Sequence, residues 1–167
     1  MNLFLLRHGL AVERSIPSFK LDSDRPLTPE GRKKTRRMAE ALARLGISFD
    51  LVLTSPYVRA RQTAEIVAEV LGGHKTVETS KNLARGHNLK QLLQELTHLR
   101  RRRDNLLLVG HQPELGQLIS VLVTGKAGLA LEVKKGGLCK LEITRLHYGR
   151  CATLQWLLPA KLFSKLR

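Results

Sequence analysis

Arg7-His8-Gly9 follows directly on residues 3–6, LFLL, an apolar run of strand length. A cation, a titratable imidazole and a glycine at a strand's carboxyl end stand where ligands bind in open α/β sheets. Gly9 would let the main chain come close to such a ligand. Alone, the triplet also fits a strand turning into solvent. Two further segments repeat the pattern. Residues 50–64, DLVLTSPYVRARQTA, carry a second apolar run, a turn at Ser55-Pro56, and Arg59 in the first turn of a predicted helix. Residues 105–116, NLLLVGHQPELG, end a third run in Gly110-His111 before Gln112-Pro113. Two histidines and two arginines arriving at one sheet edge describe a pocket for a small, doubly charged, tetrahedral anion, whose oxygens a guanidinium fork matches.

Four motifs in order carry a resemblance: Arg7-His8-Gly9; Asp24-Arg25-Pro26-Leu27-Thr28-Pro29-Glu30-Gly31; Ser55-Pro56 with Arg59-Ala60 and Gln62-Thr63; and Gly110-His111-Gln112-Pro113. Over about residues 3–123 the chain resembles the histidine phosphatase superfamily, which also holds the cofactor-dependent phosphoglycerate mutases. It is most similar to the small SixA-type phosphohistidine phosphatases, which lack the mutases' inserted helices. The resemblance implies a phosphoglycerate mutase-like fold with His8 as the nucleophile. Arg7 and Arg59 then fork onto the phosphoryl oxygens, and His111, protonated against the dianion, supplies a further donor. His8, His111, Arg7 and Arg59 are thus the expected catalytic set, and Arg7, Arg59, His111, Arg25 and Gly9 the expected phosphate contacts. In SixA-type proteins an Arg precedes the Pro-Leu-Thr segment near the phosphate, as Arg25 does here; pairing of Arg25 with Asp22 or Asp24 is the competing reading. Ser55 is read as a helix cap, with contact to the site as the competing reading.

The loop Ala84-Arg85-Gly86-His87-Asn88 aligns with the place where the mutases and many phosphatases carry an acidic proton donor, and it holds no Asp or Glu. His87 is a weak substitute. An alkoxide leaving group needs a proton, whereas a phosphohistidine ring leaves neutral. The expectation is therefore a phosphatase acting on phosphohistidine of a protein, such as a histidine phosphotransfer domain, through a phosphohistidine enzyme intermediate. Two alternatives stand beside it: a phosphatase for small phosphate esters or sugar phosphates, and a non-catalytic module binding phosphate or polyanions. No metal-ligand cluster, P-loop or dinucleotide fingerprint is present, so neither metal nor cofactor is expected.

The chain of 167 residues fits one domain over 1–167, a monomer with a core large enough to fold alone. At 4% aromatic and 43% hydrophobic residues, that core must be built from Leu, Val and Ala. Arg7 and His8 interrupt the amino-terminal apolar stretch too early for a signal peptide or a membrane span. Cys139 and Cys151 are expected as reduced thiols, and the compartment as cytoplasmic. The net charge of +15 gathers in 32–37 (RKKTRR) and 100–103 (RRRR). These runs read as solvated helix faces and turns that attract an acidic, phosphorylated partner. Nucleic acid is not expected, because no aromatics interleave to stack bases.

The elements that must position these groups follow from period and punctuation. Thr28 as N-cap and Pro29 at the first helical position start a helix that runs to about Leu45, with Met38, Ala39, Leu42 and Leu45 inward and Gly46 as the stop. Ser55-Pro56 repeats the start signal for a second helix, which ends at Gly72-Gly73. A weak strand is expected over 76–79, a helix marked by Leu89, Leu92, Leu93, Leu96 and Leu99, and a helix opened by Pro113. Two strands, 136–145 and 151–158, form a hairpin. The fold class is α/β: a three-layer α/β/α sandwich, mostly parallel, with one antiparallel strand.

Overall fold

The computed structural model describes residues 1–15, 18–72, 77–99, 104–163 and 165. Among these, six strands form one sheet in the order β3-β2-β4-β1-β5-β6. They are β1 (Asn2–Arg7), β2 (Leu51–Thr54), β3 (Val77–Thr79), β4 (Asn105–Gly110), β5 (Leu138–Ile143) and β6 (Ala152–Leu158). The first four run parallel, β5 is antiparallel to both its neighbours, and the expected hairpin is β5–β6. Thr76, Gly73 and the basic run 100–103 lie outside the described residues.

Helices cover both faces, so the central strands are apolar on every residue rather than on alternate ones. Leu3 and Leu5 of β1 and Leu106 and Leu108 of β4 pack under α3 (Leu89–Leu99) and α4 (Glu114–Thr124). Phe4, Leu6, Leu107 and Val109 face the other layer, built from α1 (Pro29–Arg44), α2 (Val58–Val70) and Phe163 of the short α5 (Ala160–Phe163). The sequence reading did not foresee α5.

Helix α1 starts where expected: the Thr28 hydroxyl accepts the Gly31 amide at 2.9 Å. Gly31 has a second reason to be glycine. A Cβ there would lie 2.0 Å from the Leu10 carbonyl oxygen, so α1 rests directly on the main chain leaving β1. The Thr28 amide donates to that same carbonyl at 3.0 Å. Two helix details differ from expectation. Leu45 is 55% exposed, because α1 ends one residue earlier and its apolar stripe has already turned away. Helix α2 starts at Val58, with Tyr57 as an N-cap that makes no side-chain bond. Ser55 and Pro56 belong to the turn before it.

Candidate active site

Strand register brings the separated motifs together. Arg7 pairs with Gly110 across β1 and β4, and Thr54 pairs with Val109 across β2 and β4. His8, Ser55 and His111 therefore leave three adjacent strands at one carboxyl edge. Main-chain bonds continue one step past the ladder, from the His8 amide to the Gly110 carbonyl at 3.1 Å and from the Ser55 amide to the Val109 carbonyl at 2.9 Å. The His8 and His111 rings stand 5.1 Å apart between centroids. They open into a cavity of about 170 Å³ that Arg7, Arg25, Arg59, Arg85 and Lys135 also line.

The tautomer of His8 follows from its partners. Its Nδ1–H donates to the Gly9 carbonyl at 2.8 Å, leaving the lone pair on Nε2. That lone pair accepts from Arg59 Nε at 3.1 Å. Burial pushes the His8 pKa down to about 3, and Arg59 and Arg7 add repulsion. His8 is thus an uncharged base that presents Nε2 to the cavity.

Arg59 comes from the first turn of α2 and is 2% exposed. Its Nη1 donates to the Asp22 carbonyl at 2.5 Å and its Nη2 to Asp22 Oδ2 at 2.9 Å. The guanidinium also lies over the Tyr57 ring, 5.0 Å from the centroid. Two neighbours on α2 hold the surroundings. Thr63 Oγ1 donates to the Arg59 carbonyl and accepts the Gly9 amide at 3.1 Å. Gln62 Oε1 accepts the Leu27 amide at 2.8 Å.

His111 is 2% exposed. Its Nε2–H points at Ser55 Oγ, 2.8 Å away, because Nδ1 faces Arg59 Nη2 at 3.5 Å and a guanidinium can only donate. Burial, then His8 and Arg59, push the His111 pKa down to about 2. Ser55 is accordingly not a helix cap. It accepts from His111 and, at 3.3 Å, from the Tyr57 amide.

Arg7 Nη1 donates to the Val133 carbonyl at 2.9 Å and lies 3.6 Å from Glu132, while its buried Nε–H meets no acceptor. Arg25 lines the cavity and is paired with Asp22, its Nε and Nη2 binding Asp22 Oδ1 at 2.9 and 2.5 Å. The Asp22 carboxylate thus bridges Arg25 and Arg59. Partial burial raises its pKa, but hydrogen bonds and charge from the two arginines outweigh that and hold it at about 2.

Gly9 does not line this cavity. It lines the larger one beside it, and a Cβ on it would meet Thr35 Oγ1 at 2.7 Å, so helix packing rather than ligand approach requires the glycine. His87 is exposed and does not reach the cavity; Arg85 of the same loop does. Asp22, Arg85 and Lys135 were not singled out for the site. Asp22 opens a single 3-10 turn, Asp22–Asp24, and Arg85 and Lys135 sit in turns, where no periodicity signals direction.

Five cations and two neutral imidazoles around so small a space can hold a phosphoryl dianion, and a neutral imidazole whose lone pair faces the cavity can attack its phosphorus once Arg59 releases it. Comparison with known proteins agrees. Residues 3–88 match the family model of the histidine phosphatase superfamily, branch 1. The chain is 32% identical over 129 residues to the phosphohistidine phosphatase SixA of Escherichia coli, covering 75% of this chain and 76% of that one. It is 41% identical over 144 residues, 85% of each chain, to an uncharacterized protein of Picosynechococcus. The solved structure of the protein histidine phosphatase SixA complexed with tungstate superposes with a TM-score of 0.81 at 25% identity, covering 97% of this chain and 99% of that one. The chain belongs to the histidine phosphatase superfamily, a phosphatase family with this phosphoglycerate mutase-like fold.

Proposed function

We propose that this protein removes phosphate from phosphohistidine on a protein, with His8 as the nucleophile. The observation that carries the substrate class is the lining of the catalytic cavity. Among the described residues, no carboxyl group lines it, and Arg85 comes from the loop where relatives place an acid. The adjacent carboxylate, Asp22, is held ionised between Arg25 and Arg59. His111 is neutral before the anion arrives. A proton taken up by His111 when the anion binds is held by a phosphoryl oxygen, so an alkoxide would leave this site with no carboxylic acid to protonate it. A phosphohistidine ring protonated on its other nitrogen needs none.

In the first step His8 Nε2 bonds to phosphorus while the substrate's P–N bond breaks, and its electron pair stays on the departing neutral imidazole. Arg7, Arg25 and Arg59 carry the charge on the phosphoryl oxygens, which requires Asp22 to yield its place on the two guanidinium groups. The Gly9 carbonyl keeps the proton on His8 Nδ1, stabilising the phosphorylated ring. Water then attacks phosphorus, the His8 N–P bond breaks, its electron pair returns to Nε2, and both protons of the water leave with inorganic phosphate.

The test compares kcat/KM for a phosphohistidine protein, phosphoramidate, an aryl phosphate and an alkyl phosphate. General-acid help is worth about 10²–10⁴ in rate, so the alkyl ester is expected to lag phosphohistidine by at least that margin. An alkyl ester turned over as fast as phosphohistidine overturns the reading and points to a small-ester phosphatase.

A further inference from the structure

A second cavity, of about 520 Å³, lies beside the catalytic one. Its floor is apolar, formed by Leu10 in the segment after β1, Met38 of α1, and Pro159 and Ala160 at the start of α5. Its rim is cationic: Lys34 and Arg37, one turn apart on α1, face Lys134, Lys135 and Lys161. Among the described residues, no acidic one lines it.

This groove and the catalytic cavity share a wall. Lys135 lines both. The turn that carries it is tied to β1, since the Gly136 amide donates to the Arg7 carbonyl at 3.0 Å and to the His8 carbonyl at 3.1 Å. Gly9, whose carbonyl holds the His8 ring, lines the groove from the other side. A molecule seated in the groove is therefore within a residue of the nucleophile. The lining of the catalytic cavity serves the phosphoryl group, which all phosphorylated partners share, so discrimination between them falls to the surface around it.

The lining chooses among occupants. A free phosphate makes no use of an apolar floor. Nucleic acid stacks on aromatic rings, and none lines the groove among the described residues. A bilayer needs apolar side chains that protrude, and these are recessed. An amphipathic acidic segment uses every part of the groove: its apolar side chains fill the floor and its carboxylates meet the rim, as in helix-in-groove recognition. The rim pairs Lys34–Glu30 and Lys134–Glu132 are exposed ion pairs of little intrinsic worth, so a partner's carboxylates can replace them. We infer that this groove docks an acidic, amphipathic segment of the protein substrate beside its phosphohistidine. The inference rests on the phosphohistidine-protein reading above and adds where that protein is held.

The experiment uses an acidic histidine phosphotransfer domain, phosphorylated for turnover and unphosphorylated for binding, with phosphoramidate as the small control. Two variants change the groove without touching the catalytic residues: Lys34→Glu with Arg37→Glu, which reverses the rim, and Ala160→Trp, which fills the floor. Both are expected to raise KM for the phosphorylated domain and Kd for the unphosphorylated one by about tenfold or more, and to leave phosphoramidate kcat/KM within about twofold. Binding by the unchanged protein should weaken with salt. Equal losses on phosphoramidate, or unchanged KM and Kd on the domain, overturn the docking. A domain dephosphorylated at unchanged KM sinks the groove and keeps the substrate reading. A domain bound through the groove but never dephosphorylated does the reverse, and one neither bound nor dephosphorylated sinks both.

Discussion

Arg59 Nε donates to His8 Nε2 across 3.1 Å, so the lone pair proposed to attack phosphorus is covered by a cation in the free protein. The same guanidinium is held by the main chain and side chain of Asp22. An incoming phosphoryl group competes with both partners for Arg59, and drawing the guanidinium onto its oxygens uncovers Nε2. In the proposed mechanism, binding and activation of the nucleophile are therefore one event.

The first consequence is a phosphoenzyme on His8. Alkaline quenching during turnover of a labelled substrate should give acid-labile phosphate that maps to His8. His8→Ala should lose about 10³-fold or more in kcat. Label on Ser55, the hydroxyl nearest His111, would refute the assignment.

Arg59 should dominate oxyanion binding. Tungstate or vanadate is expected to raise the melting temperature of the unchanged protein, as any ligand selective for the native state does. Arg59→Ala should remove most of that shift, and Arg59→Lys should restore little, since an ammonium cannot fork. The substitution also removes one of the two arginines on Asp22, which keeps Arg25, and losing hydrogen bonds to a charged group typically costs about 1.5–3 kcal/mol. That loss is read separately, from urea unfolding without the anion. An undiminished tungstate shift in Arg59→Ala places the anion elsewhere.

Acid should destabilise the fold through the two histidines. Their folded pKa values, about 3 for His8 and about 2 for His111, lie below the ordinary value of 6.5. The unfolded chain binds the extra protons, so this contribution is complete above pH 6.5 and is lost as pH falls toward 3. Inside that window each histidine contributes a slope of about 1.4 kcal/mol per pH unit. Urea unfolding at stepped pH reads the slope, and His111→Gln should roughly halve it. A flat profile would mean that neither ring is buried neutral.

Anion binding should take up a proton. A phosphoryl oxygen at His111 Nδ1 needs a donor there, and the free protein offers a lone pair. Binding therefore favours protonated His111, and tungstate affinity should fall as pH rises, by up to about tenfold per unit. Calorimetry in buffers of different ionisation enthalpy counts the proton directly. An uptake of zero contradicts the role given to His111.

Gly31→Ala tests the seat of α1. The added Cβ meets the Leu10 carbonyl at 2.0 Å, and main chain cannot swing aside as a flexible side chain can. A loss of about 2 kcal/mol or more is expected, together with weaker tungstate binding, because Leu10 follows the His8-Gly9 segment. Unchanged stability would show that the loop yields freely.

Much of the fold is written locally. Continuous apolar runs at 3–6, 51–54 and 106–109 mark strands buried on both faces, and the Thr28-Pro29 start of α1 is a short-range capping event. The positions of Arg7, His8, Arg59 and His111 at strand or helix ends were legible for the same reason, since period and punctuation locate ends. What lay between elements was not. Ser55 carries a cap's signature, yet its hydroxyl meets His111, because the turn at 55–57 delays α2 until Val58. Asp22 and Arg85 enter the site from a 3-10 turn and a connecting turn with no pattern to aim them, and only packing decided that Asp22 would bridge Arg25 and Arg59. Gly9 shows the same division. Its type is read at once from the sequence, but the atom that demands it is Thr35 Oγ1, 26 residues along the chain and brought there by α1. Sequence by itself determined which residue types stand at the sheet edge, because strands and caps are set by neighbours. The tertiary structure decided who faces whom, because those distances depend on how separate elements pack.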